Sequence, residues 1–341
     1  MATRLCAWLL CAGLAAIPPA MAGDLATVRV ITFPFGTYAP LFLGIQDGIF
    51  EKHGIEVELG ITPSSGFLRE GLAKGDYDIA LSAVDNAVAM VEDAKKDVVI
   101  VTGGDTGMNE LIARADIEAL EDVRGKTLIV DAPDTAFALL AKKILKDHGL
   151  VAGRDYRLKS IGGTRERMQA LVDDPANAAS ILGPPFSFAA KEKGLKSFGR
   201  TSDLIGPYQS GGTFVMRGWA KANGPVLERY IAAYIESVRR ARDPAHRDAV
   251  ISLIASRFKQ DPKTAERSYR SLMEPGFGLA PDARFDMEGF KAVLALRAEI
   301  EGQWGGKPPA PDKYVDLSYY DRALRQLGRQ RDPNEPRRSD P

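Results

Sequence analysis

Residues 40–86 read PLFLGIQDGIFEKHGIEVELGITPSSGFLREGLAKGDYDIALSAVDN, which spells helix, strand, helix, strand and the opening of a third helix. Pro40 suits a first helical turn, and Leu41, Phe42, Ile45 and Ile49 recur behind it at helical spacing. Gly48 and Gly54 offer the left-handed conformations that end the helix and turn the chain into a strand over residues 55–59. Ser64 or Ser65 caps the next helix, Phe67, Leu68 and Leu72 face the sheet, and Gly75 stops it. A strand over 77–81 follows, then a helix over 87–93 with Asp85 as its cap. Two β-branched, apolar runs flank this stretch, 28–33 ending at Pro34 and 98–102. Helices between strands imply right-handed crossovers and a parallel sheet, whose strand ends open on one shared place.

A similar pattern returns downstream. Residues 126–130 form a strand, and Asp134 caps a helix over 135–148 whose Phe137, Leu140, Ile144 and Leu145 share one face and which ends at Gly149. A strand over 156–160 leads through Gly162-Gly163-Thr164 into a helix, and a strand over 179–182 leads into Gly183-Pro184-Pro185. ALVDDPANAASILGPP keeps the rhythm of GLAKGDYDIALSAV, with Pro175 near where Gly75 falls. Two similar α/β lobes result. From 220 to 302 the pattern is helical, as in Leu227, Ile231, Tyr234, Ile235 and Val238.

The opening residues fix an expected compartment. Arg4 supplies a positive n-region, residues 5–17 an apolar run too short to span a bilayer, and Ala20-Met21-Ala22 a small-x-small cleavage site before Gly23. Residues 1–22 therefore read as a signal peptide, and the mature chain as exported to the periplasm. Cys6 and Cys11 both lie inside the removed segment, which leaves no thiol for disulfides, metal ligation or nucleophilic attack. Cys11 follows the bulky Trp8-Leu9-Leu10, unlike a lipid-anchor site. Lys plus Arg equals Asp plus Glu at 45 each, so nothing points to nucleic acid or an anionic membrane. The remaining length exceeds what one core usually supports, in keeping with two lobes. Residues 326–341, which include GRQRDPNEPRRSDP, read as a disordered tail.

Taken together, PLFLGIQDGIFEKHGIEVELG, the Ser-rich turn, LAKGDYDIALSAVDNAV, the later DVRGKTLIV and DAPDT, and the closing PDKYVDLSYYDRAL resemble a known family. It is the periplasmic substrate-binding proteins of ABC importers for thiamine pyrimidine precursors, sulfonates or nitrate. The resemblance implies a type II periplasmic-binding fold: two α/β lobes with parallel-rich sheets, joined by two crossings near 111–116 and 208–214. Lobe one is expected over 24–112 and 213–325, lobe two over 113–212. It further implies a monomer without cofactor that shuts on a small-molecule ligand by hinge closure and delivers it to an ABC permease in the inner membrane. A protein reporting to a membrane sensor would read the same way.

In such a fold, ligand contacts lie in loops that follow strands. Phe35, Thr37 and Tyr38 follow the first strand, where aromatic rings either stack on a planar ligand or pack the loop. Ser64 and Ser65 offer hydroxyls and free N–H groups at a helix start, for an anion or simply as caps. The loop with Ser82, Asp85 and Asn86 touches ligand by family position. Asp105 and Thr106, and Asp131 to Thr135 with Asp134, approach from either side of the first crossing. Phe186, beyond Gly183-Pro184-Pro185, either covers the ligand or closes a hydrophobic gap.

Charge separates the ligand classes. The chosen loops carry Asp85, Asp105, Asp131 and Asp134 and no basic residue, which favours an aromatic heterocycle such as an aminopyrimidine over nitrate or a sulfonate. Arg165 and Arg167 stand near enough in sequence to reverse that preference. Catalysis is disfavoured. His53, His148 and His246 lie at separate helix ends or loops without metal-ligand spacing, and no GxSxG, Walker loop or GxGxxG occurs. The family also resembles yeast-type pyrimidine synthases, but these depend on a histidine and a cysteine-rich metal motif absent here.

Overall fold

The structure, a computed structural model, describes residues 25–331; the expected signal peptide and residues 332–341 lie outside the described residues. The chain first forms β1 (Ala26–Thr32), α1 (Ala39–Gln46), α2 (Ile49–Lys52), β2 (Ile55–Ile61), α3 (Ser65–Lys74), β3 (Ile79–Ala83), α4 (Asp85–Glu92) and β4 (Val98–Asp105). It continues through β5 (Glu110–Ala113), β6 (Thr127–Val130), α5 (Ala136–Asp147), β7 (Arg157–Ser160), α6 (Thr164–Asp173), β8 (Asn177–Leu182), α7 (Phe186–Glu192), β9 (Lys196–Arg200) and α8 (Thr201–Ile205). It returns in β10 (Gly211–Met216) and closes with α9 (Arg217–Ala222), α10 (Gly224–Arg242), α11 (Arg247–Phe258), α12 (Pro262–Met273), α13 (Met287–Glu301) and α14 (Ser318–Arg331).

Two five-stranded sheets result, ordered β2-β1-β3-β10-β4 and β7-β6-β8-β5-β9. Read strand for strand, the orders match, so the repeat visible in the sequence is a repeat of topology. β1 runs parallel to β2 and β3, with Val28 beside Val57 and Val30 beside Ile79. β6 likewise runs parallel to β7 and β8. Each sheet also holds one strand of opposite direction: β10 is antiparallel to β3 and β4, and β5 to β8 and β9. These reversed strands are the ones that carry the chain across. The first crossing spans only residues 106–109, earlier than the expected 111–116, because residues 110–113 already pair in the second sheet. The return runs over 206–210, just before β10.

Packing follows from composition. Val28, Val30, Ile31, Ile79, Ala80 and Leu81 have no exposed surface, and helices cover both faces of the sheet as parallel strands require. The long helix α10 lays Leu227, Tyr230, Ile231, Tyr234 and Ile235 against α1 and α14. Contact with α1 is close enough to demand glycine: a Cβ on Gly44 would lie 2.0 Å from Ser237 Oγ. Residues 326–331, assigned to the tail from sequence, belong to α14; their chain continues a helix rather than breaking at Gly328.

Arg297 of α13 fastens this arrangement. Its guanidinium is fully buried, with Nη1 donating to Asp85 Oδ1 at 2.8 Å and to the Asp134 carbonyl at 3.2 Å. Nη2 reaches Asp93 at 3.1 Å and Nε reaches Gln303 at 3.0 Å. Asp85 is therefore an ion-pair partner, and not the helix cap expected of it; α4 starts at Asp85 itself with no side-chain cap. Burial pushes the Asp85 carboxyl up and Arg297 opposes that push. Removing one member of a buried pair leaves the other charge stranded, at a cost of about 3–5 kcal/mol. Arg297→Met is thus expected to lose stability on that scale in urea unfolding, and Asp85→Asn in the same background to recover part of it. A loss below about 1 kcal/mol, the value of an exposed pair, would show that the pair contributes little.

Candidate functional site

Between the sheets lies a narrow cleft with about 40 Å³ of free space. The matching topology explains its walls. From the first sheet come the loops β1–α1 with Phe33, Phe35, Thr37 and Tyr38, β2–α3 with Ser65, and β3–α4 with Ser82, Ala83 and Asn86. The equivalent loops of the second sheet bring Asp131, Thr135, Ala136 and Phe137, then Thr164 and Arg167, then Gly183 and Pro184. Asp105, Met108, Asn109 and Ser210 come from the two crossings.

The walls touch. Phe35 lies edge-on to Phe33, Tyr38 and Phe137 at centroid distances of 6.0, 6.4 and 5.9 Å, and Phe137 belongs to the opposite side. Ser65 donates to Asp131 Oδ2 at 2.7 Å across the cleft. Thr135 donates to the other oxygen of Asp131 at 2.5 Å. Outside the cleft Arg69 grips Asp134 at 2.7 Å, and Lys142 meets Glu301 at 2.7 Å. On further edges Arg267 meets Glu192 at 3.1 Å and Arg200 meets Glu274 at 2.6 Å. The described arrangement is therefore a closed one.

Three charged side chains face the cleft, and none pairs with another. Asp105 is buried; its Oδ1 accepts from the Gly107 N–H at 2.8 Å, and Ser210 and the Gly211 backbone also support it. Burial outweighs these donors and pushes its carboxyl up to about 6. Among the described residues Asp131 is held by the two hydroxyls alone. Arg167, 1% exposed, sends Nη1 to the Gly162 carbonyl at 2.6 Å and Nη2 to Thr164 Oγ1 at 3.0 Å, while its Nε–H has no partner among the described residues. The guanidinium lies 5.4 Å from the Phe137 ring centre and makes no ion pair among the described residues. Burial lowers its pKa, against the pull of Asp131 and Glu166. Tyr38 is pushed well up, first by burial and then by Asp105, and shares a hydrogen bond with Ser82. Asn86 donates to Ser82 at 3.2 Å, and its Oδ1 is buried without a partner.

Of the residues chosen from sequence, Phe35, Thr37, Tyr38, Ser65, Ser82, Asp105 and Thr135 line the cleft. Others are occupied elsewhere. Ser64 caps α3 by accepting from the Phe67 N–H at 3.2 Å. Thr106 donates to the Phe277 carbonyl at 2.9 Å. Asp134 does not cap α5, since Arg69 takes its carboxylate and Thr135 holds the cap position. Phe186 lines a neighbouring groove with Arg165 5.3 Å from its ring centre. Asn86, in the loop expected to touch ligand, lines the cleft too, and Asn109, Ser210 and Arg167 join the site from outside the chosen set. Arg167 had one readable signal: it lies three residues after Thr164, one helical turn in from a Gly-Gly loop that follows a strand. The chosen loops lack a base, yet the assembled cleft has one.

The family model for the phosphonate periplasmic substrate-binding protein of ABC transporters matches residues 37–203. A Brachyspira hyodysenteriae protein named as an ABC-transporter periplasmic binding protein is 28% identical over 191 residues, 51% of this chain and 54% of that one. The match thus spans about half the length of that relative. Among solved structures, the nitrate-binding protein NrtA of Synechocystis PCC 6803 aligns at TM-score 0.74 and 15% identity over 90% of both chains. The alkanesulfonate-binding protein SsuA of Xanthomonas axonopodis, bound to MOPS, aligns at TM-score 0.70 and 16% identity, over 86% of this chain and 99% of that one.

Asp105 gives the cleft a pH signature. A carboxyl whose folded pKa lies above its unfolded value of 3.8 adds stability that is whole below that pH and lost as the pH rises through about 6. Asp105→Asn removes the penalty, so unfolding of the unliganded proteins at a series of pH values between these limits should show the variant gaining on the parent. The expected gain is roughly 3 kcal/mol at most, at 1.36 kcal/mol per pKa unit. A difference that stays flat with pH would place the carboxyl at its ordinary value.

Proposed function

We propose that the chain is a periplasmic substrate-binding protein of the ABC-transporter type, which captures a small acidic solute between its two sheets and delivers it to an importer's permease. The observation that carries this reading is Arg167. A guanidinium buried in a cleft costs several kcal/mol unless it is paired, and here its hydrogen bonds go to neutral oxygens, while Asp131 and Glu166 act on it only from beyond ion-pair distance. Its free Nε–H matches a ligand oxygen, and a planar fork of donors suits a carboxylate, sulfonate or phosphonate. The ligands named for the similar proteins, nitrate, alkanesulfonates and phosphonate, are of the same charge. Capture by hinge closure fits the bonds across the cleft, since a solute touching both walls favours the closed state by its differential contacts.

Binding is favoured over turnover by the family and by the placement of the histidines. His53 faces Glu236, His148 faces Glu121 and His246 lies beside Arg240, all away from the cleft. A second reading, an aminopyrimidine-like heterocycle, draws support from the unpartnered Asn86 Oδ1 and from Asp105 and Asp131, which accept N–H bonds. Phe33, Phe35 and Phe137 offer it apolar walls.

Thermal unfolding against alkanesulfonates, alkylphosphonates, carboxylates, nitrate and aminopyrimidines separates the two. A ligand at 100 times its Kd adds about 2.7 kcal/mol of stability. Acidic compounds should raise the midpoint, and Arg167→Met should weaken their binding about 100-fold, or about 2.7 kcal/mol, while the unliganded variant stays folded. Stabilisation by an aminopyrimidine alone, unchanged in Arg167→Met, would establish the second reading instead.

A further inference from the structure

Two carboxylates share the cleft with the one guanidinium. Asp105 and Asp131 are both buried, and both are held by neutral donors alone: backbone N–H groups and Ser210 for the first, Ser65 and Thr135 for the second. An acid brought to Arg167 satisfies that cation and adds a negative group to a chamber that already has two. The mismatch disappears if the same molecule also brings a cation. We infer that the solute is zwitterionic, its acid group held by Arg167 on the second sheet's side and an amine held by Asp105 on the first sheet's side. This rests on the acidic-solute reading above and narrows it.

Placement favours Asp105 over Asp131 for the amine. Asp131 already has one hydroxyl on each oxygen, and Ser65 and Thr135 come from opposite sides, so its carboxylate serves as a bond between the walls. Asp105 ends β4, at the point where the chain leaves the first sheet. It sits in the same cleft as the Tyr38 ring, whose face suits an ammonium group. Gly211 is pressed against it, since a Cβ there would lie 2.1 Å from Asp105 Oδ2, so the carboxylate is seated by backbone N–H groups and a single hydroxyl, that of Ser210. A zwitterion spanning Asp105 and Arg167 loses one of its two charge contacts whenever the sheets part, whereas a simple anion keeps its contact. Both ends of the molecule therefore contribute to closure.

Isothermal titration with a matched series tests this: 3-aminopropanesulfonate, 3-aminopropylphosphonate and 4-aminobutyrate, against propanesulfonate, propylphosphonate and butyrate. At least one amino compound should bind ten-fold or more tightly than its partner lacking the amine. The advantage should vanish in Asp105→Asn, persist in Asp131→Asn, and be lost together with all acid binding in Arg167→Met. The parent protein alone decides the main point, whatever the variants do: an amine that adds nothing to an acid that binds overturns the inference and leaves the acidic-solute reading intact. An amine advantage that survives in a folded Asp105→Asn overturns the assignment to Asp105. If none of the six binds while an aminopyrimidine does, the acidic-solute reading falls, and this inference with it.

Discussion

Arg297 joins parts of the chain that are remote in sequence: α13 at the C-terminal side, both ends of α4 through Asp85 and Asp93, and the Asp134 carbonyl on the far side of the cleft. A guanidinium in so dry a place tolerates little displacement, because each N–H it fails to satisfy is a donor withdrawn from water. Its position therefore sets the position of α4, and α4 carries Asn86 beside Ser82. Through Asp134 it also touches the loop that presents Thr135 and Phe137. Two walls of the cleft are referenced to one side chain that never enters it.

How much of this was legible in the sequence follows from the range of the interactions. β1 and β6 are β-branched and apolar, and β2 and β3 each follow a helix ended by glycine, Gly54 and Gly75, so local pattern was enough. β5, β9 and β10 were not: ELIA is four residues, KSFGR is mostly polar at a sheet edge, and GGTFVM opens with two glycines. What makes them strands is pairing with partners laid down elsewhere, which is also why the antiparallel element in each sheet escaped notice. The same limit governs the site. Ser65, Ser82 and Tyr38 follow strands and were readable as cleft residues. Asp85 and Asp134 looked like caps, because an acidic residue at a helix start normally caps, and their real partners lie 212 and 65 residues away. Arg167 falls within TRERMQALVD, near enough in sequence to reach the cleft, but nothing in the pattern fixes which way its side chain points. Partners within its own lobe, the Gly162 and Ile181 carbonyls and Thr164, are what turn that arginine inward.

The repeated topology gives the two walls equivalent loops with different contents. The first contributes aromatic rings and hydroxyls, the second a guanidinium and Asp131. Divergence of the side chains on a duplicated frame lets one architecture address the two ends of a molecule by different physics, with no change to the strands that position them. It also accounts for the breadth of ligands among proteins of this shape, since fold and recognition reside in separate residues.

The pairs on the outer edges of the closed form, Arg69–Asp134, Lys142–Glu301, Arg267–Glu192 and Arg200–Glu274, lie in contact with solvent to varying degrees. Each is individually weak and is screened as the Debye length shrinks, from about 10 Å at 0.1 M salt to about 3 Å at 1 M. On the proposed capture between the sheets, an enclosed molecule would leave only when they separate, so its dwell time would depend partly on side chains it never meets. The surrounding brine would then act as a timer: the saltier the medium, the sooner the molecule is let go.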